Sequence, residues 1–226
     1  MRGLTTRAPP TTATTPQTLP TPTRGGGTGL ASAAGRRRAG RRFDRAGGSD
    51  GRRAAAAASC APDLFAGRTV LITGGGTGIG RATAHGFARL GGTVVIASRD
   101  EAHLAPTVDE LRGHGGEVLG VACNIRDVDS VEALLATCTD RFGGVDVLVN
   151  NAGGQFPAFP HDITDNGWRA VVDLNLNGTW NMCSRFIPPM VERGDGAVVN
   201  ITHIYTFERG APLFAHSGAA RPACRA

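Results

Sequence analysis

Residues 69–80 read Thr-Val-Leu-Ile-Thr-Gly-Gly-Gly-Thr-Gly-Ile-Gly. A short apolar run meets a cluster of glycines, and the cluster opens a helical pattern over Ile79–Leu90. A strand, a tight glycine turn and a helix N-terminus in that order form a phosphate-binding arrangement. Glycine lets the backbone turn sharply and approach a pyrophosphate with no Cβ in the way. The helix start offers unpaired N–H groups and the positive end of its dipole to the anion. A glycine-rich loop alone is a weak signal; the order of strand, loop and helix makes this one specific. It nominates Gly74, Gly76, Thr77, Gly78, Ile79 and Gly80 as cofactor contacts, with Gly80 allowing close helix packing.

The same alternation continues along the chain. Apolar runs at Thr93–Ser98, Val118–Cys123, Val145–Asn150 and Ala197–Thr202 predict four more buried parallel strands. Helical stretches fall between them, near Glu101–Gly113, Asp127–Phe142 and Gly167–Glu192. Gly91-Gly92, Gly115-Gly116, Gly143-Gly144 and Gly194 sit where those helices should stop. Five strands alternating with helices predict an α/β fold with a doubly wound, Rossmann-like parallel sheet over residues 61–226.

The second strand ends Ala97-Ser98-Arg99. An NAD site usually places a carboxylate at this point to hold the ribose hydroxyls. A hydroxyl and a guanidinium suit a 2′-phosphate instead, so NADPH is the expected dinucleotide. The competing reading of Arg99 is a solvated charge at a strand end.

Composition divides the chain. Residues 1–60 hold 11 arginines and two acids, while residues 61–226 hold 13 arginines and 17 acids. There is no lysine. The first 60 residues, rich in Thr, Pro, Gly, Ala and Arg, cannot bury enough apolar surface to offset their ordering entropy. They predict a disordered tail: a transit peptide, a basic arm, or sequence read from a start codon placed too early, the last being favoured. The remainder is mildly acidic, which argues against a nucleic-acid-binding domain. Five cysteines without a C-x-x-C pair and six scattered histidines give no metal site. No apolar run nears the ~20 residues that span a bilayer. The expected setting is the cytoplasm, or an organelle if the tail is a transit peptide.

Asn150-Asn151-Ala152-Gly153 follows the fourth strand. With the Thr-Gly-x-x-x-Gly-Ile-Gly loop some 75 residues earlier, it resembles the short-chain dehydrogenase/reductase family over residues 67–221. The resemblance implies that Asn151, Ala152 and Gly153 line the cofactor cleft. It implies that Asn124-Ile125, after the third strand, flank the adenine. The family's catalytic asparagine falls on Asn175, where it holds a water or helps place a proton relay.

The family usually continues with Ser-Ser and then Tyr-x-x-x-Lys. This chain has Asn200-Ile201-Thr202-His203-Ile204-Tyr205, then Ala215-His216-Ser217-Gly218-Ala219-Ala220-Arg221. That layout resembles the branch of CoA-ester reductases, the 2,4-dienoyl-CoA and peroxisomal trans-2-enoyl-CoA enzymes. There the implied proton donor is Tyr205, the single tyrosine of the chain. Ser217 becomes a supporting hydroxyl and Arg221 takes the lysine's place. Arginine is larger than lysine and does not give up its proton. The plainer readings are a packing role for Tyr205 and a surface charge at Arg221. His203 stands where a catalytic serine is usual and reads as pocket-lining, with a catalytic role as the alternative. The implied reaction is NADPH-dependent reduction of an unsaturated acyl-CoA. A 3-oxoacyl or ketone reductase is the second reading, and an inactive nucleotide-binding remnant the third.

After Arg221 the family pattern adds a long helix and two more strands, whereas this sequence runs Pro222-Ala223-Cys224-Arg225-Ala226. A proline there opposes helix propagation. The expectation is a sheet incomplete at its C-terminal edge, an exposed Ala197–Thr202 strand, an impaired homo-oligomer and weak NADPH binding with slow turnover.

Overall fold

The computed structural model describes residues 61–203 and 212–224. The tail at 1–60 and Tyr205 therefore lie outside the described residues. The chain forms β1 (Thr69–Thr73), α1 (Gly78–Arg89), β2 (Thr93–Ser98), α2 (Leu104–Arg112), β3 (Val118–Ala122), α3 (Val128–Phe142) and β4 (Val147–Asn150). Then follow α4 (Asp165–Val172), a π-helical turn (Asp173–Asn177), α5 (Gly178–Arg193), β5 (Ala197–Asn200) and α6 (Ala215–Ala223). Short 3₁₀ turns precede α2 at Glu101–His103 and α4 at Pro160–Asp162.

All five strands are parallel, in the order β3-β2-β1-β4-β5. The chain winds from β1 outward to β3, then returns to the other side of β1 for β4 and β5. That reversal opens a crevice beyond the C-terminal ends of β1 and β4, where such sheets bind ligands.

Side chains alternate along each strand and build two apolar layers. Leu71, Val95, Ala97 and Leu148 face α3 and α5, packing on Leu134, Cys138, Met182 and Phe186. Val70, Ile72, Val94, Ile96 and Val149 face α1 and α2, packing on Ala84, Ala88, Val108 and Leu111. β1 is buried along its whole length because both neighbouring strands and both helix layers cover it. Among the described residues β5 pairs with β4 alone, and it is exposed at Ala197, Val198 and Val199.

Three expectations need correction. The single helix expected over Gly167–Glu192 is two α-helices joined by the π turn. Strands β3, β4 and β5 are shorter than their apolar runs, because Cys123, Val145 and Ile201 pass into the connecting loops. Pro222 does not prevent a helix: α6 carries it and ends one residue later. Its ring removes one backbone N–H near the helix end, while the buried His216, Ser217 and Ala220 hold the segment in place.

Candidate active site

The loop between β1 and α1 lies at the mouth of the crevice. Gly78 opens α1 at φ +53°, a left-handed conformation that favours glycine. A Cβ there would meet nothing within 4 Å, so the peptide faces open space. Gly80 sits two residues further on, within the first turn. A Cβ on it would overlap the Gly74 carbonyl and lie 2.5 Å from the Asn151 amide nitrogen. The close packing expected at Gly80 is thus against the loop and Asn151, at the ends of β1 and β4. The first turn of α1 holds no acidic residue, so its positive end is not neutralised. These features fit the pyrophosphate of a nicotinamide dinucleotide.

One cleft of about 350 Å³ runs from this loop across the strand ends. Gly74, Thr77, Gly78, Ile79, Ser98, Arg99, Ile125, Asn151, Ala152 and Gly153 all line it. Gly76 and Gly80 stand behind the lining, where Thr107 donates its hydroxyl to the Gly76 carbonyl at 2.9 Å. Asn124 does not line the cleft. Its Oδ1 is turned back to accept from the Arg126 backbone N–H and Nε, each at 3.3 Å. Ala97, Cys123 and Leu174 complete the walls; being apolar, they carry no chemical signature in sequence.

Thr73 fixes the geometry of the far wall. Its hydroxyl oxygen accepts from the backbone N–H groups of Asn151 and Ala152, both at 3.0 Å. Asn151 in turn donates its amide to the carbonyls of Thr73 and Gly74. Loop and β4 terminus are therefore one hydrogen-bonded unit. A threonine closing the first strand directly before the glycines is the signal that sequence reading passed over.

Three of the four candidate catalytic residues, Asn175, Ser217 and Arg221, lie around Gly153–Gln155 at the end of the cleft, and Tyr205 lies outside the described residues. Asn175 and Ser217 are each only 1 % exposed. The π turn carries Asn175 inward. Its Nδ2 donates to the Gly154 and Val171 carbonyls, each at 2.7 Å, and its Oδ1 accepts from the Gly154 N–H at 3.3 Å. Arg221 reaches the same place from α6 and donates to the Ile201 carbonyl at 2.5 Å. A Cβ on Gly153 would overlap the Arg221 guanidinium and lie 2.6 Å from Asn175 Oδ1. Only a glycine fits between them. Burial lowers the Arg221 pKa from its ordinary value, yet arginine remains a cation. It forms no ion pair among the described residues. Ser217 is bonded to Gln155 at 2.6 Å and lies 3.2 Å from His203 Nε2. Asn175, Ser217, Arg221, Gln155 and His203 thus surround the Gly153-Gly154 step. Gln155 belongs to the Gly153-Gly154-Gln155-Phe156 segment that resembles the enoyl-CoA branch, yet it is not among the site residues expected from the sequence.

The family profile described as short chain dehydrogenase matches residues 68–224. The chain belongs to this family. Short-chain dehydrogenases are oxidoreductases that use a nicotinamide cofactor, and the glycine loop, cleft and strand order described above are those of a short-chain dehydrogenase. Among its relatives is the 3-oxoacyl-acyl-carrier-protein reductase of Thermotoga maritima, 33% identical over 138 residues, which are 61% of this chain and 56% of that protein. The peroxisomal 2,4-dienoyl-CoA reductase of Arabidopsis thaliana is 32% identical over 149 residues, 62% of this chain and 50% of that one. The solved structure of a citronellol catabolism dehydrogenase from Pseudomonas aeruginosa PAO1 superimposes with a TM-score of 0.66 at 37% identity, covering 72% of this chain and 66% of that chain. The chain spans about half the length of the curated relatives it matches.

Proposed function

We propose that this short-chain dehydrogenase is an NADPH-dependent reductase of an unsaturated acyl-CoA, a trans-2-enoyl or 2,4-dienoyl thioester. The observation that carries the reading is Ser217, a buried hydroxyl, with Arg221 one helical turn on against Gly153 and Asn175. The similarity to a 2,4-dienoyl-CoA reductase supports it. When bound, NADPH supplies the hydride. Asn175 holds the Gly153–Gln155 segment, Ser217 offers a hydrogen bond to the thioester carbonyl, and Arg221 supplies fixed positive charge where negative charge develops. Tyr205 is the proposed proton donor to the reduced acyl chain. A 3-oxoacyl reductase is the second reading, favoured by equal similarity to a 3-oxoacyl reductase.

The choice of NADPH rests on the end of β2. Arg99 is exposed at the cleft and has no ion-pair partner among the described residues. The neighbouring carboxylate, Asp100, is occupied: it accepts from the Ala102 N–H at 2.9 Å as the cap of the following turn. Arg99→Leu is expected to weaken NADPH binding roughly 10- to 100-fold, the worth of a charge-assisted phosphate contact. NADH binding should stay within about threefold, since NADH lacks the phosphate that the charge-assisted contact requires. Fluorescence titration with both cofactors measures the difference; an equal loss for the two sinks the assignment.

Following NADPH oxidation with crotonyl-CoA, a 2,4-dienoyl-CoA and acetoacetyl-CoA separates the readings. Turnover of either unsaturated thioester with none of acetoacetyl-CoA supports the first. The reverse pattern establishes the second, and cofactor binding without any turnover points to a nucleotide-binding remnant.

A further inference from the structure

Gln155, Ser217 and His203 form a chain of hydrogen bonds with a fixed direction. Gln155 Oε1 lies 2.6 Å from Ser217 Oγ, a distance typical of O–H···O and short for N–H···O. A carbonyl oxygen only accepts, so the single hydroxyl proton of Ser217 points at Gln155. The Phe214 carbonyl, at 3.3 Å, is the poorer acceptor. With its proton committed, Ser217 Oγ presents a lone pair to His203 Nε2 at 3.2 Å. His203 must then carry its proton on Nε2. The order is His203 N–H to Ser217 O–H to Gln155 C=O, running from a half-buried ring through a buried hydroxyl to an exposed amide.

The middle of this chain and its outer end differ in freedom. Ser217 is buried on α6, whereas Gln155 is exposed in the segment after β4. The backbone beside Gln155 is held, because Asn175 binds both the N–H and the C=O of Gly154. Only the Gln155 side chain needs to move to free the Ser217 hydroxyl. The group it then exposes is a donor that has just released a neutral carbonyl oxygen.

We propose that the Gln155 side-chain carbonyl is an internal stand-in for the substrate carbonyl. In the free protein it occupies the Ser217 hydroxyl; an arriving thioester or ketone carbonyl displaces it and takes the same hydrogen bond. His203 is a positioning residue that keeps the hydroxyl proton turned toward the substrate side. A chain of two hydrogen bonds strengthens each, so the backed hydroxyl is the better donor. This inference rests on the reading that a substrate carbonyl approaches Ser217.

Two measurements test it. The first needs no substrate: nitrogen-15 NMR of the histidine rings in the full chain reads the His203 tautomer. A proton on Nε2 is expected, and its loss of protection in Ser217→Ala identifies the partner. A free chain with Nε2 unprotonated overturns the inference and leaves the functional reading intact. The second is calorimetric binding of crotonyl-CoA and of acetoacetyl-CoA with NADP⁺ present, so that no hydride passes. Gln155→Leu removes the competitor and is expected to bind at least one of them roughly fivefold more tightly, the worth of one hydrogen bond. Weaker binding by Gln155→Leu would make Gln155 a ligand of the substrate and overturn the stand-in role. Failure of the parent chain to bind either thioester would overturn the functional reading, and the stand-in role with it. His203→Gln, which keeps a donor in the same region, is expected to bind more nearly like the parent than His203→Leu does; equal behaviour of the two removes the positioning role.

Discussion

Gly80→Val is expected to weaken NADPH binding by more than about 100-fold. The new Cβ would overlap the Gly74 carbonyl and crowd the Asn151 amide at 2.5 Å. Neither neighbour is free to yield. Gly74 donates to the Ala97 carbonyl at 2.7 Å, and its own carbonyl accepts from Asn151. Asn151 is tied through its backbone to Thr73. Relief therefore comes from moving the start of α1 away from the loop. That movement displaces the N–H groups aimed at the pyrophosphate, and each charge-assisted contact is worth about 1.5–3 kcal/mol. Two such contacts account for the predicted loss. Overpacking itself costs about 1–3 kcal/mol of stability. Gly218→Ala is the control. Its Cβ meets nothing within 4 Å and it lies in a helix, so stability should hold or rise slightly. Fluorescence titration and thermal melting measure both variants. An affinity for Gly80→Val within threefold of the parent would refute the geometry assigned to this loop.

The legibility of that glycine in the sequence has a physical basis. A position with no room for a side chain admits one residue type, so the requirement is written directly at Gly80. The five parallel strands are legible in a similar way, from apolar runs that only a sheet covered on both faces would bury. Other features leave weaker marks. The π turn inserts a local change of winding into a helix whose apolar pattern continues on both sides, so Asp173–Asn177 read as ordinary helix while the fold uses the turn to bury Asn175. Asn124 is ambiguous in sequence because its type suits either a ligand contact or a local turn, and the bond from the Arg126 N–H to its side chain makes such a turn. Leu174 and Cys123 line the cleft with the same apolar surface that fills cores. Pro222 was given too much weight, since a proline near a helix end costs one hydrogen bond, against the packing of a buried face.

Arg221→Met is expected to cut NADPH-dependent turnover by about 10²–10³, the span for losing one preorganised group that stabilises developing negative charge, while changing stability far less. The two effects part because the guanidinium is poorly matched to the fold and well matched to the site. Its surroundings are the Gly153 backbone, the Asn175 amide and the Ile201 carbonyl, with no carboxylate partner among the described residues. Burial disfavours its charge, and this is the first cause of its lowered pKa. A half-buried cation without a counter-charge is a liability for folding, though a smaller one than a fully buried cation. Methionine keeps most of the length and the apolar stem, and removing the charge offsets the lost bond to Ile201. The same unneutralised charge is what the site needs if negative charge develops on a substrate oxygen near Ser217, because a cation already bound to a carboxylate would do less there. Arg221→Lys completes the test. The arginine makes one direct bond, not a two-pronged clamp, so a point charge on a flexible stem should recover turnover to within about tenfold of the parent. Thermal melting, NADPH titration and crotonyl-CoA turnover are read on all three proteins. If Arg221→Met keeps the parent's rate, the charge is structural. If Arg221→Lys and Arg221→Met lose equally, the fork geometry of the guanidinium matters, and the lysine-like role fails.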